Sequence, residues 1–151
     1  MSEPTSNTNS TSPILTIEGA IATIRLCNPS YANRLSPNDL EVIQSHLKIV
    51  NQTPEVLVLR LIAEGKYFCS GYDISSLAAE SAPSSLYFGE TVDLLEQSRP
   101  VTISAINGGV YGGGTDLCLA CDFRVGSTAA NMFMPAAKLG LHFYPGGMVR
   151  Y

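Results

Sequence analysis

Val56-Leu57-Val58-Leu59-Arg60-Leu61-Ile62 is a nearly continuous apolar run, and a strand without a polar side has to be covered on both faces, as strands of a parallel sheet are. Val101 to Ile106 is a second run of this kind and the expected partner. Between them, Ser81 to Ser85 is Ser/Pro-rich and reads as a loop, and Leu86 to Ser98 carries apolar residues at helical spacing. Strand, helix and strand in that order imply α/β architecture with right-handed crossovers.

The residues upstream fit the same plan. Ile14 to Ile17 and Ile21 to Leu26 are short apolar runs around Glu18-Gly19-Ala20, a β-hairpin pattern. Ser36-Pro37-Asn38-Asp39 combines an N-cap serine, a proline at the first helical position and an acidic first turn. Leu40, Ile43, Leu47 and Val50 follow on one helical face, which predicts a helix of about four turns. No internal repeat is visible in this stretch.

With 151 residues, 45% hydrophobic and 15% charged, the chain has material for one domain with a core. We place it at residues 14–151, after a Ser/Thr/Asn-rich tail over residues 1–13 that has neither the basic start nor the apolar stretch of a signal peptide. A net charge of −4 with nine scattered basic residues argues against a nucleic-acid or anionic-membrane surface. No run reaches transmembrane length. The expectation is a soluble, cytoplasmic protein. Cys118 and Cys121 form one C-x-x-C pair, but Cys27 and Cys69 lack the spacing of a second, so core thiols are expected in place of a metal site.

Each buried strand runs into a glycine-bearing segment, at the strand ends where α/β sheets form their ligand crevice. The first is Lys66-Tyr67-Phe68-Cys69-Ser70-Gly71-Tyr72-Asp73-Ile74. The second is Asn107-Gly108-Gly109-Val110-Tyr111-Gly112-Gly113-Gly114-Thr115-Asp116, leading into a helical stretch at Leu117 to Ala120. A glycine-rich helix start presents backbone N–H groups to an anion or a developing oxyanion. Nucleotide phosphates do not suit it: the Walker pattern needs a lysine where Thr115 stands, and a dinucleotide fingerprint needs glycine at Leu117. Close helix-to-strand packing is the alternative use of these glycines.

Together with Ala120-Cys121-Asp122-Phe123-Arg124, Pro135 and Lys138-Leu139-Gly140, these segments resemble the crotonase (enoyl-CoA hydratase/isomerase) family over roughly Ile14 to Tyr151. The resemblance implies an α/β fold, a ββα-superhelix of stacked strand-strand-helix turns. It also implies trimers or hexamers where the full family fold is present, and an acyl-CoA substrate, with coenzyme A entering as part of that substrate and no separate cofactor or metal. The thioester oxygen would be held by the backbone N–H groups of Tyr72 and Gly113, an oxyanion hole. Ser70, Tyr72, Asp73, Ile74 and Ser75 would line the CoA path, and Arg34 and Lys66 are candidates for its phosphates, each with solvated side chain as the plainer use.

The family's hydratases place glutamates directly after the glycine block and after the later proline. Here those positions are Asp116 and Ala136. Asp116 is then the candidate base, or simply an acidic residue in the first turn of a helix, where the helix dipole favours its charge and burial opposes it. Aspartate there also resembles the dienoyl-CoA isomerase branch. Tyr144, in His142-Phe143-Tyr144-Pro145, falls where relatives keep a third pocket residue, as a proton donor or as packing for the acyl chain. Enolate-stabilised hydration or isomerisation is the leading expectation, decarboxylation or hydrolysis of an acyl-CoA the second, since Ala136 removes one carboxylate, and a non-catalytic binding fragment the third. Family members continue beyond this point into a helical portion, so the chain is expected to be C-terminally incomplete and to expose apolar surface.

Overall fold

A computed structural model of the chain describes residues 11–73 and 85–151. Strands β1 (Ile14–Glu18) and β2 (Ile21–Leu26) form the expected antiparallel hairpin. Helix α1 (Pro37–Asn51) follows. Its start is a capping box: the Asp39 N–H donates to Ser36 Oγ at 3.2 Å, and the Ser36 N–H donates back to Asp39 Oδ2 at 2.9 Å. Leu40, Ile43, Leu47 and Val50 are buried along one side, the face that the 3.6-residue period selects.

From here the chain repeats a unit. Strands β3 (Val58–Ala63) and β4 (Tyr67–Cys69) precede α2 (Ser85–Glu96), β5 (Val101–Ile106) and β6 (Gly109–Tyr111) precede α3 (Gly113–Ala120), and β7 (Phe123–Gly126) and β8 (Asn131–Phe133) precede α4 (Pro145–Arg150). The first strand of each pair joins a five-stranded sheet in the order β1-β2-β3-β5-β7, parallel except for the hairpin. The second strand joins a parallel three-stranded sheet, β4-β6-β8. This is the ββα arrangement. The sequence hides it because β4, β6 and β8 are three residues each, too short for any alternation to register.

Two expectations about the strands need correction. β3 starts at Val58, two residues into the apolar run, and only Leu59 and Leu61 within it are buried, with Arg60 exposed and Leu57 59% exposed before it. In β5 the core-facing side chains are Thr102, Ser104 and Ile106, while Val101 is 44% exposed. An apolar run does not guarantee two covered faces: Val101, Phe123 and Val125 are exposed along the large sheet. Buried Thr102 is tolerated because its Oγ1 donates to Asp122 Oδ2 at 3.0 Å and its N–H donates to the same oxygen at 2.8 Å.

One core runs under both sheets, from Ile24 and Leu59 through Leu47 and Val92 to Phe68 and Val110. Gln44 on α1 donates to Thr91 Oγ1 on α2 at 2.8 Å, which sets the two helices against each other. Pro13, assigned to the tail by sequence, is buried, and its carbonyl accepts from His46 Nε2 at 3.0 Å. That contact gives His46 a structural position on α1. Among the described residues, no helix is long and apolar enough to cross a membrane.

Candidate active site

The end of β4 is held open by a neighbouring loop. Residues 32–35 run alongside residues 70–73: the Ser70 N–H donates to the Ala32 carbonyl at 2.9 Å, the Leu35 N–H to the Gly71 carbonyl at 2.8 Å, and the Asp73 N–H to the Leu35 carbonyl at 2.8 Å. Asn33 anchors that loop. It is 1% exposed, its Oδ1 accepts from the Asn28 N–H at 2.8 Å, and its Nδ2 donates to the Glu64 and Tyr67 carbonyls at 2.8 and 2.9 Å. No sequence motif announces this residue; only its φ of 52° and its reach across some thirty positions explain why an asparagine is there.

Gly71 turns the chain at φ +97°, where side chains are strained. A Cβ at this position would stand 2.9 Å from both the Gly113 nitrogen and the Tyr111 carbonyl oxygen. The two glycine segments therefore meet, backbone against backbone. α3 begins at Gly113, inside the glycines and four residues earlier than the expected stretch at Leu117. The Gly113 N–H stands ahead of any intrahelical acceptor, whereas the Thr115 N–H already donates to the Gly112 carbonyl at 3.0 Å.

These loops form the wall of a cavity of about 580 Å³. It is lined by Ser70, Tyr72 and Asp73 from the first glycine segment, Gly112, Gly113 and Asp116 from the second, and Ala136, Leu139, Leu141 and Tyr144 from the C-terminal stretch. Phe88 of α2 closes it between two rings, with centroids 5.8 Å from Tyr72 and 6.3 Å from Tyr144. The lining is mostly apolar or aromatic with few polar groups, the usual make-up of a small-molecule site.

Asp116 is 1% exposed. Arg150, from the last turn of α4, donates to it along one edge of its guanidinium, Nε to Oδ1 at 2.6 Å and Nη2 to Oδ2 at 3.2 Å. Burial raises the proton affinity of Asp116 above the usual carboxylate range; the hydrogen bonds and charge of Arg150 pull it down, and the Asp93 and Glu96 charges add to the rise. Burial is thus the largest single influence on this group. For Arg150, burial opposes the charge, but hydrogen bonds to Asp116 and Asp93 outweigh it and keep the guanidinium protonated. Next to this pair the Tyr151 hydroxyl contacts Thr115 Oγ1, with its proton affinity raised by burial and by the Asp116 charge.

The other candidate residues divide. Arg34 lines the cavity, 3.5 Å from Asp73 and with its guanidinium 5.7 Å from the Tyr31 ring centroid. Lys66 is not on the cavity wall; its Nζ lies 5.4 Å from the Tyr67 ring centroid. Ile74 and Ser75 lie outside the described residues. His142 is on the wall and exposed. Burial pushes the Cys69 and Cys121 thiols up to about 12 and raises Cys118 as well. Among the described residues, no three His, Cys, Asp or Glu side chains are grouped to hold a metal ion. Arg150 was the residue that sequence reasoning missed, because nothing in Pro145-Gly146-Gly147-Met148-Val149-Arg150 says that its last side chain returns to the glycine block.

Known proteins share this fold and resemble this sequence. The family model described as enoyl-CoA hydratase/isomerase matches residues 16–151. Crotonyl-CoA hydratase of Syntrophomonas wolfei is 32% identical over 142 residues, covering 91% of this chain and 55% of the relative. The peroxisomal Delta(3,5)-Delta(2,4)-dienoyl-CoA isomerase of Arabidopsis thaliana is 35% identical over 112 residues, covering 64% of this chain and 40% of the relative. The crystal structure of enoyl-CoA hydratase subunit I of Geobacillus kaustophilus HTA426 superposes with a TM-score of 0.81 at 30% identity, covering 95% of this chain and 56% of that one. The chain belongs to the enoyl-CoA hydratase/isomerase family. It spans about half the length of the curated relatives it matches.

Proposed function

We propose that this chain binds an acyl-CoA and stabilises the enolate of its thioester, as the core of an enoyl-CoA hydratase or isomerase. The N–H groups of Gly113 and Tyr72 are assigned to the thioester oxygen. Fixed backbone dipoles there lower the barrier without reorganising, and loss of one such donor typically costs about 2.7–4 kcal/mol of transition-state stabilisation. Asp116 is assigned as the base that takes a proton from the carbon next to the thioester or directs water at the double bond, and Tyr144 as the donor on the far side. Arg34, Ser70 and Asp73 at the cavity wall are assigned to the CoA arm, and the Ile74–Ser75 stretch continues that assignment by family resemblance.

The observation that carries this reading is the placement of one buried carboxylate, Asp116, on the wall of the same cavity that Tyr72, Gly112 and Gly113 line. Coenzyme A is part of the substrate in this reading, and the oligomers follow the family's trimers and hexamers.

Two experiments test it. In deuterated water with crotonyl-CoA, exchange at the substrate α- or γ-carbon is expected and should vanish in Asp116→Asn; exchange that survives removes Asp116 as the base. Acetoacetyl-CoA should give the ultraviolet difference band of a bound enolate. Gly113→Pro deletes the donor at a helical position that accepts proline, and Gly113→Ala meets the same Phe88 ring, 2.5 Å from the added Cβ, yet keeps the N–H. A band lost only in the proline variant supports the oxyanion assignment, and equal loss in both refutes it.

A second reading is supported by Ala136. It is 8% exposed and lines the cavity where hydratases of the family carry their second glutamate. A decarboxylase or hydrolase needs less proton traffic, and malonyl-type and β-diketone thioesters offered beside crotonyl-CoA separate the two.

A further inference from the structure

Arg150 is buried for a reason that α4 itself does not supply. Its side chain is 3% exposed at the end of a six-residue helix, and a buried guanidinium is costly unless its N–H groups are matched. They are. Besides the two bonds to Asp116, Nη1 donates to Asp93 Oδ1 at 2.9 Å and to Glu96 Oε2 at 2.8 Å, both on α2. Nη2 also donates to the Tyr144 hydroxyl oxygen at 3.4 Å, and the guanidinium carbon lies 5.8 Å from the Tyr144 ring centroid.

Donor counting gives this arrangement a direction. Guanidinium has five donors and no acceptor, so the Tyr144 oxygen accepts and its own O–H remains for another partner. The Tyr144 side chain lines the cavity. Asp116 receives one N–H on each oxygen, which fixes the plane of the carboxylate and leaves lone pairs on each. The half-exposed carboxylates of Asp93 and Glu96, at 42% and 47%, hold the guanidinium from its outer side.

We propose that Arg150 is a positioning residue for the reaction: it holds Asp116 ionised and in plane as the base, and turns the Tyr144 hydroxyl toward the acyl group as the donor. This rests on the reading of Asp116 as base. One guanidinium then links the two groups that would share proton transfer in a pocket where Ala136 supplies no second carboxylate. The charged and titratable groups facing Asp116 are Arg150 and Tyr144 from α4 and its entry, Asp93 and Glu96 from α2, and Tyr151; His142 shares the cavity.

The test is the pH profile of γ-proton exchange with crotonyl-CoA for the 151-residue chain; loss of the γ-proton leaves the dienolate of the thioester. The base must be ionised, so the rate falls on the acid side as Asp116 gains its proton. Arg150→Gln removes the influence that lowers its proton affinity, so the acid limb is expected to move to higher pH by about 1–3 pH units, with kcat falling and KM little changed. Arg150→Lys should move it less. Asp93→Asn lies at the outer edge and preserves the pocket; it removes a charge that raises that affinity, so its limb should move the opposite way. The opposite signs are what a purely structural Arg150 does not produce, and Asp93→Asn keeps the test open if the Arg150 variants do not fold. Tyr144→Phe should slow exchange in the unaltered chain and add little in Arg150→Gln.

Acid limbs that stay in place in all folded variants, or Tyr144→Phe and Arg150→Gln effects that simply add, overturn the proposal. Exchange that persists in Asp116→Asn overturns the underlying base assignment, whereas exchange abolished there with unmoved limbs elsewhere overturns Arg150's part alone.

Discussion

The Gly71 α-carbon faces the Gly113 nitrogen so closely that a methyl group on Gly71 would stand 2.9 Å from it. Two segments forty-two positions apart in sequence thus share one wall, and neither has a side chain in the way. The close approach explains the glycine at 71, whereas at 113 it is the Phe88 ring, 2.5 Å from an added Cβ, that leaves no room for a side chain.

Gly71→Ala should therefore damage binding through the backbone. The residue sits at φ +97° with backbone atoms in contact range, and strain of that kind costs about 1–3 kcal/mol. The expected result is a lower Tm together with loss of the acetoacetyl-CoA enolate band. A variant with unchanged Tm and an intact band would show that the junction tolerates a side chain.

Asn33→Ala should be among the most destabilising single changes in the molecule. It leaves the Asn28 N–H and the Glu64 and Tyr67 carbonyls without their partner, and each unsatisfied buried group costs about 1–3 kcal/mol. Chemical denaturation should show a loss of several kcal/mol, and the segment beside Tyr72 should lose amide protection first. Asn33→Asp keeps the acceptor for Asn28 but loses both donors, and should fall between the two.

Ser36→Ala is expected to separate stability from chemistry. Ser36 caps α1 and exchanges bonds with Asp39, and neither residue lines the large cavity. The loss should be about 0.5–2 kcal/mol, read as a lower denaturant midpoint with proton exchange per folded molecule unchanged.

The parts of the molecule legible in sequence are those set by local rules. The cap and apolar face of α1 follow from Ser36, Pro37 and a 3.6-residue period, and β5 is found because it repeats the apolar character of β3. Long-range geometry was not legible. Leu57 and Val101 are as apolar as Leu59, yet both are exposed, because burial depends on which sheet face the helices cover. In the candidate site, the glycine segments, Asp116 and Tyr144 were found by motif and do line one cavity. Lys66 was not separable from Arg34, since charge alone says nothing about which way a loop lysine turns. Arg150 was out of reach: its partners on α2 and α3 lie 34 to 57 positions away, and no periodicity links them.

Ala136 offers the most direct test of what the pocket does without a carboxylate at this position. The residue is buried at the cavity wall, at the start of the 3-10 turn Ala136–Leu139. Ala136→Glu introduces a further acid into the cavity that Asp116 lines. In these mostly apolar surroundings its charge is disfavoured, so the new carboxyl should take up a proton above the ordinary carboxylate range and serve as an acid. Hydration of crotonyl-CoA, followed by loss of the enoyl absorbance, should then rise, and the rise should persist in Tyr144→Phe because the added acid replaces the hydroxyl. Adding a polar side chain to this wall should also lower Tm. If hydration rises in Ala136→Glu only while Tyr144 is present, the tyrosine has a task that a carboxylic acid does not replace, and if hydration is unchanged in a folded variant, the missing second acid is not what limits this chain.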